Sequence, residues 1–300
     1  MLKRFKAGFT LVELSISIAF IAILSITITV LTTNIIAAYQ RGLTIKQVNT
    51  TGMNLISDIK SSIANSSAKN LTDLCSSTYG DETIRSACEN DKAQNFVSLS
   101  RSAEVTLNSE TIGTMPVQGA FCTGTYSYLW NSGYYYSGEH GVGIPAIKLI
   151  YKDGDGAQKT LENFRFLKLS DPSRSVCVAM TLSGSSAGVG DTNYTTGLTQ
   201  FSNEINISGL GIVSDTPIEL LNPDNEFDLA IYGLAVARPA QDMLTRNVLY
   251  SGYFILATVR GGININADGD YCAPPSEYSS TTTDYCAINK FNFAIQANGE

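Results

Sequence analysis

The stretch "FTLVELSISIAFIAILSITITVLTTNIIAA", residues 9–38, has no glycine, no proline and a single charged residue, Glu13. About 20 consecutive apolar-dominated residues in a helix are enough to cross the hydrocarbon core of a bilayer. Three basic residues precede the stretch: Lys3, Arg4 and Lys6. By the positive-inside rule, this asymmetry predicts a cytoplasmic N-terminus and a single span, with everything after it outside the membrane.

The helical pattern continues beyond the span. Apolar residues recur every three or four positions between residues 39 and 65, with polar residues between them: Ile45, Val48, Leu55, Ile56, Ile59 and Ile63. This spacing predicts an amphipathic extension of the same helix, with one apolar stripe that packs on the rest of the protein. Gly42 and Gly52 each weaken a helix by roughly 1 kcal/mol relative to alanine, and both are candidate bends.

Residues 66–300 change to short β-rich runs separated by loops. The runs are residues 146–169, 175–182, 227–237, 248–259 and 290–297. The first is predicted to be a hairpin around a Gly/Asp turn, because two alternating runs flank the sequence Asp153-Gly154-Asp155-Gly156. We therefore predict an α+β protein, in which the long helix packs on an antiparallel sheet head with long loops.

The cysteines indicate an oxidising compartment. All six lie beyond the span: Cys75, Cys88, Cys122, Cys177, Cys272 and Cys286. An even count on one side of a membrane anchor favours disulfides over metal binding, because no C-x-x-C pair or Cys/His cluster is present. Proximity in sequence suggests the pairs 75–88, 122–177 and 272–286. The alternative is buried free thiols in a reduced compartment.

The start of the chain does not fit an ordinary secretory signal. Such a signal has a small-residue cleavage site after its apolar region, whereas here the small residue, Gly8, precedes it. Cleavage after Gly8 would remove the basic octapeptide at residues 1–8 and leave the span attached. It would also create a new α-amino group on Phe9.

The motif "KAGFTLVEL", residues 6–14, resembles the N-terminal signature of type IV prepilins and of the pseudopilins of type II secretion systems. The resemblance covers about residues 1–38, and the order of helix then sheet agrees with it. It implies that a membrane-embedded prepilin peptidase cleaves the Gly8–Phe9 bond on the cytoplasmic side and methylates the new amine of Phe9. It also implies that Glu13 is the carboxylate used in filament assembly.

Glu13 has a physical role in such an assembly. A carboxylate inside a membrane costs about 2.5–3.5 kcal/mol on insertion scales unless it finds a partner. The ammonium group of Phe9, which exists only after cleavage, lies at a similar depth in a neighbouring subunit. An ion pair between Glu13 and the neighbour's Phe9 would fix the axial register of a filament. The alternative is a plain signal anchor, in which Glu13 reaches the cytoplasmic headgroups.

Two acidic turns are candidate calcium sites, and the one with Asp153 and Asp155 is the weaker. Asn264, Asn266, Asp268 and Asp270 alternate in the manner of an EF-hand loop, but Pro275 stands where the bidentate glutamate would fall. They form a candidate calcium site or an ordinary turn, and no other cofactor is expected. The G-x-S-x-G match at Ser186 lacks a following helix and a downstream histidine, so we predict no enzymatic activity.

Aromatic residues concentrate between residues 124 and 138. Tyr126, Tyr128 and Trp130 fall on one face of a predicted strand. This face is suited either to an adhesive contact or to packing against the long helix, and we favour packing.

The acidic balance of the chain, −7 at pH 7, argues against nucleic acid as a partner. The expected partners are other pilin subunits, the prepilin peptidase, the membrane assembly machinery and, before assembly, the lipid bilayer. The expected location is the cytoplasmic membrane and then a surface pilus, with this chain as a minor or accessory subunit. Two alternatives stay open: a secretion pseudopilin and an anchored adhesin that never polymerises.

Overall fold

The computed structural model describes residues 10–65, 98–107, 110–123, 125–136, 140–172, 175–177, 179, 203–209, 216–221, 228–237, 248–259 and 287–297. The chain divides into two compact units, residues 1–43 and 44–300. The described residues form an α+β fold with one long N-terminal helix followed by β-strands. The predicted fold class is confirmed at this level.

Helix α1, Leu11–Ala64, is 54 residues long and contributes to both units. It ends within one residue of the position that the apolar periodicity predicts, and it runs through both glycines. In the second unit, five of the six residues of the predicted stripe are buried, whereas Ile45 is 44% exposed and lies outside the buried face. The buried residues recur at helical spacing: Thr44, Val48, Gly52, Leu55, Ile56, Ile59, Ser62 and Ile63. Burial of this stripe is what holds the second half of the helix in place.

The described strands form three sheets. The strands are β1 Ser98–Leu107, β2 Glu110–Cys122, β3 Tyr126–Asn131, β4 His140–Val142, β5 Lys148–Lys152, β6 Gln158–Leu161, β7 Phe166–Ser170, β8 Glu204–Asn206, β9 Ile218–Glu219, β10 Leu229–Ala237, β11 Val248–Thr258 and β12 Ile288–Ala297. The largest sheet has the order β4-β1-β2-β3-β7-β9, the second β10-β11-β12 and the third β6-β5-β8. Their pairing is antiparallel except between β5 and β8, which run parallel.

Three apolar clusters hold these sheets together. The first joins the stripe of α1 to the large aromatic residues of the six-stranded and second sheets, including Trp130, Phe166 and Phe254. The second lies between the third sheet and the opposite face of β3. The third joins β1 and β2 to β10 and β11. The six-stranded sheet is therefore covered on both faces, as buried residues on successive positions of β3 require.

Gly52 is the position at which strand β12 meets the helix most closely. A Cβ atom built on Gly52 would overlap the ring of Phe291, which stacks on Phe254 with 5.1 Å between ring centroids. A Cβ built on Gly42 would meet nothing within 4 Å. The absence of a side chain at Gly52 therefore allows the helix and the Phe291 ring to pack closely.

Replacing Gly52 by alanine is expected to destabilise the second unit. The added methyl group must displace the Phe291 ring, and overpacking of this kind typically costs about 1–3 kcal/mol. Denaturant unfolding of the detergent-solubilised chain, followed by the fluorescence of Trp130, measures the change. Ser61→Ala on the exposed face of α1 is the control, and Phe291→Leu should rescue part of the loss. A gain in stability, as in an ordinary exposed helix, would contradict the close packing.

Several strand predictions are confirmed and one is wrong. The hairpin of β5 and β6 and strands β10 and β11 fall within predicted runs, and β12 begins two residues before its run. Strand β7 covers the end of the predicted second hairpin strand and one further residue, but it pairs with β3 and β9 in the six-stranded sheet and not with β5. The run 175–182 was predicted to be a strand, but residues 175–177 are helical. The reason is local: Asp171 accepts the backbone N–H groups of Ser175 and Val176 at 2.8 and 3.0 Å, which caps a helical turn.

Candidate functional site

The described part of the N-terminal segment begins with a capping box. Glu13 Oε2 accepts hydrogen bonds from the backbone N–H and the side-chain hydroxyl of Thr10, both at 2.9 Å. In return, the Thr10 hydroxyl accepts from the backbone N–H of Glu13 at 3.3 Å. The T-x-x-E spacing produces this reciprocal arrangement, which satisfies donors that a helix N-terminus otherwise leaves unpaired. Lys3, Arg4, Lys6, Gly8 and Phe9 lie outside the described residues.

The capping box occupies only one of the two carboxylate oxygens of Glu13. Both bonds from Thr10 reach Oε2, and among the described residues no hydrogen bond or ion pair reaches Oε1 of Glu13. Glu13 is also exposed. An ionised carboxylate has about four acceptor positions, so the same group can cap its own helix and accept a cation from another molecule.

The first half of α1 is apolar on its whole circumference. Its large side chains are about half exposed or more, from Leu11 at 85% to Ile36 at 49%. An 18-residue window of this helix has a mean hydropathy of 2.5, and none of it is buried. The helix is therefore long and apolar enough to cross a membrane.

Hydroxyl groups in this apolar segment are satisfied within the helix. Ser17, Thr27, Thr29 and Thr32 each donate to the backbone carbonyl four residues earlier, at 2.8 Å. Internal bonds of this type allow a helix to carry hydroxyl groups through a medium without water. Within a single chain, these four hydroxyls therefore already have local acceptors.

A polar cluster joins the second half of α1 to the six-stranded sheet. The Tyr128 hydroxyl donates to Asp58 Oδ2 at 2.8 Å and lies 2.6 Å from the Ser62 hydroxyl. Lys168 Nζ pairs with Asp58 Oδ1 at 2.6 Å and lies 4.2 Å from the centre of the Tyr126 ring. Burial raises the pKa of Tyr128, so its hydroxyl stays a donor. The cluster fixes how α1 is rotated on the sheet.

The aromatic face of β3 packs inward. Tyr128 and Trp130 have no exposed surface, and both belong to the cluster that contains Ile59 and Ile63 of the helix. Packing against the helix, the alternative favoured from the sequence, is therefore confirmed for these two residues. They are not available as an adhesive surface.

The disulfide predicted between Cys122 and Cys177 is present. Both residues are buried, and the bond ties the end of β2 to the helical turn capped by Asp171. Cys75, Cys88, Cys272 and Cys286 lie outside the described residues. One bond that joins residues 55 apart in sequence restricts the unfolded chain substantially.

The described residues confirm neither of the candidate calcium sites. Asn264, Asn266, Asp268 and Asp270 lie outside the described residues. Asp153 accepts the backbone N–H groups of Asp155 and Ala157 with Oδ1, which is the geometry of an ordinary turn. Within the described ranges, no group of three or more His, Cys, Asp or Glu residues could hold a metal ion.

A buried ion pair, which the sequence analysis did not identify, joins two sheets. Arg165 pairs with Asp228, and their side chains are 6% and 9% exposed. Arg165 also donates to the carbonyl of Leu229 at 3.0 Å, at the start of β10. Nearby, Glu219 accepts the backbone N–H groups of Arg165 and Phe166 at 2.9 and 2.8 Å. Burial raises the pKa of Glu219, and these backbone bonds oppose the shift.

Comparison with known proteins gives no relative for this chain. No protein-family model, no curated protein and no solved structure matches it.

Proposed function

We propose that this chain is a structural subunit of a surface filament, a minor or accessory protein of the type IV pilin kind. The observation that carries the proposal is the N-terminal segment. It combines the Gly8–Phe9 sequence, a helix capped by Thr10 and Glu13, and an exposed apolar helix long enough to cross a membrane. No feature of the described residues requires an enzymatic role for the chain.

The proposed maturation begins in the cytoplasmic membrane. The chain inserts with its N-terminus inside and its β-rich head outside, and a prepilin peptidase cleaves after Gly8 and methylates Phe9. The apolar helix then moves from the lipid bilayer into a filament of similar helices, with help from the membrane assembly machinery. Exposed apolar side chains around the whole helix suit both surroundings, because both are apolar.

Glu13 selects the axial stagger between neighbouring helices in the filament. Van der Waals packing between apolar helices does not by itself select one axial stagger. The carboxylate of Glu13 is stable as the cap of its own helix, and it retains an oxygen for the Phe9 ammonium of a neighbouring subunit. Only a stagger that brings these two charges together removes the cost of leaving them unpaired in an apolar medium.

The head fits a minor or accessory subunit better than the major subunit of a filament. It is large, it is assembled from three sheets, and its helix is fixed by the polar cluster of Asp58, Ser62, Tyr128 and Lys168. A disulfide inside the head is typical of a protein that works outside the cytoplasm. We infer that the head is a rigid body displayed by the filament.

Mass spectrometry of the protein from the cell envelope tests the proposal. We expect a chain that begins at N-methylated Phe9. Gly8→Val should keep residues 1–8 attached, because the peptidase must accommodate the residue at the cut, whereas Ala7→Val should be processed normally. An intact Met1 in the wild-type protein would show that the chain is an anchored protein that is not matured as a pilin.

A further inference from the structure

Strand β8 carries a short row of polar side chains on the surface of the head. Glu204 and Asn206 are exposed, whereas Ile205 and Ile207 are each 1% exposed and belong to the second apolar cluster. Alternate residues of a strand point to opposite faces, so Glu204 and Asn206 share the outward face. Among the described strands, β8 is at the end of its sheet and pairs only with β5.

The end of β8 and the two residues after it match the acceptor sequence for N-linked glycosylation. Asn206, Ile207 and Ser208 form the triplet Asn-x-Ser, which glycosylating enzymes recognise on the surfaces of exported proteins. Oligosaccharyltransferases of the bacterial type also require an acidic residue two positions before the asparagine, and Glu204 occupies that position. We propose that Asn206 is a glycosylation site for an enzyme of this type.

The local geometry presents the reacting atom. Asn206 Oδ1 accepts hydrogen bonds from the backbone N–H of Ser208 at 3.0 Å and from its hydroxyl at 2.7 Å. Both bonds use the carbonyl oxygen, so the amide nitrogen Nδ2 takes no part in them. The turn also has space beside it, because a Cβ built on Gly209 would meet none of the described atoms within 4 Å.

Five Asn-x-Ser/Thr triplets occur in the chain, at Asn49, Asn65, Asn70, Asn193 and Asn206, and only Asn193 and Asn206 follow an acidic residue by two positions. Besides the triplet at Asn206, only the one at Asn49 lies wholly within the described residues, and it provides a contrast. Asn49, Thr50 and Thr51 lie inside helix α1, where the chain cannot adopt an extended or turn conformation. The Asn49 carbonyl oxygen accepts from Asn289 at 2.7 Å, and the residue two positions before it is Gln47, which is not acidic. Sequence alone does not distinguish the two triplets as acceptors of the general kind, whereas the structure favours Asn206.

The reaction transfers an oligosaccharide from a polyprenyl pyrophosphate carrier. Nδ2 of Asn206 forms a bond to the anomeric carbon of the first sugar, the bond from that carbon to the pyrophosphate oxygen breaks, and Nδ2 loses one proton. In the cell, glycosylation of Asn206 rests on the proposed function, because the enzyme can reach the head only if the head lies outside the cytoplasmic membrane. The chemistry itself requires only the folded head, the enzyme and the lipid-linked sugar.

The test is therefore made with purified components. The full folded chain in detergent is incubated with a bacterial oligosaccharyltransferase and its polyprenyl-pyrophosphate-linked oligosaccharide, and intact mass is measured. An Asn193→Gln background removes the related sequence at residues 191–195, which lies outside the described residues. We expect a mass increase of one glycan, which Asn206→Gln and Ser208→Ala abolish. Glu204→Gln should lower the yield at least tenfold, and Ser208→Thr and Asn49→Gln should preserve it.

Two results would overturn the proposal. One is an unmodified chain while the same enzyme glycosylates an acceptor peptide and the chain gives its normal circular dichroism spectrum. The other is a glycan that persists in Asn206→Gln. Neither result bears on cleavage after Gly8, which is read from the mass of the N-terminal peptide, so failure of this site is separable from failure of the proposed function.

Discussion

Glu13→Gln is expected to leave membrane insertion unchanged and to lower incorporation into filaments at least about tenfold. Glutamine keeps the length of the side chain and an oxygen that can accept both hydrogen bonds from Thr10, so the helix cap survives. It loses the charge, and with it the proposed pairing with the ammonium of a neighbouring Phe9. A coupling of only about 1.4 kcal/mol corresponds to a tenfold change in an equilibrium, and pairing in an apolar medium should exceed that.

Two matched variants separate the charge from the cap. Thr10→Val removes the hydroxyl that bonds to Glu13 and keeps the carboxylate, so it should reduce incorporation less than Glu13→Gln does. Glu13→Asp keeps the charge on a shorter side chain and should give an intermediate result. Incorporation is measured as the amount of the chain in sheared filaments relative to the amount in membranes. Normal incorporation of Glu13→Gln would show that the ion pair does not direct assembly.

The long helix could be predicted from the sequence because its signal is local and repeated. Apolar residues at intervals of three and four over more than 20 positions leave few alternatives to a helix. The same holds for β10, β11 and β12, which are rich in β-branched and aromatic residues. The capping box was present in the sequence as Thr10-x-x-Glu13 and could have been identified from that spacing alone.

Strands β1 and β2 were missed for a physical reason. They contribute Ala103, Val105, Met115 and Val117 to a buried cluster, but Ser and Thr occupy six other positions of the two strands: 98, 100, 102, 106, 111 and 114. Small hydroxyl residues are common in loops as well as on the solvent face of a strand, so the alternation did not stand out. The separation of the two runs by the residues 108 and 109 was the available hairpin signal.

The contacts that fix the head are long-range, and no local pattern encodes them. Asp58 meets Lys168, 110 positions later, and Arg165 meets the start of β10. A charged residue in a sequence is ordinarily exposed, so burial of such a pair follows only from the packing of the sheets. The fit of Gly52 to Phe291 has the same origin.

Asp228→Asn is expected to be the most destabilising conservative change in the head. It removes the charge that compensates Arg165 while both side chains stay buried. Loss of one partner of a buried pair typically costs about 3–5 kcal/mol. Asn tolerates the left-handed backbone that Asp228 adopts, with φ of 46°, so the loss should come from the charge and not from backbone strain.

The measurement is urea unfolding of the detergent-solubilised chain, monitored by Trp130 fluorescence. Two control variants separate the effect of the buried charge from other effects of the substitution. The double variant Arg165→Met, Asp228→Asn removes both charges of this pair and should be more stable than Asp228→Asn alone. Lys148→Met breaks the pair between Lys148 and Glu162, whose side chains are 43% and 48% exposed, and should change the stability far less. If Asp228→Asn cost no more than Lys148→Met, the ion pair would not be what holds β10 against the six-stranded sheet.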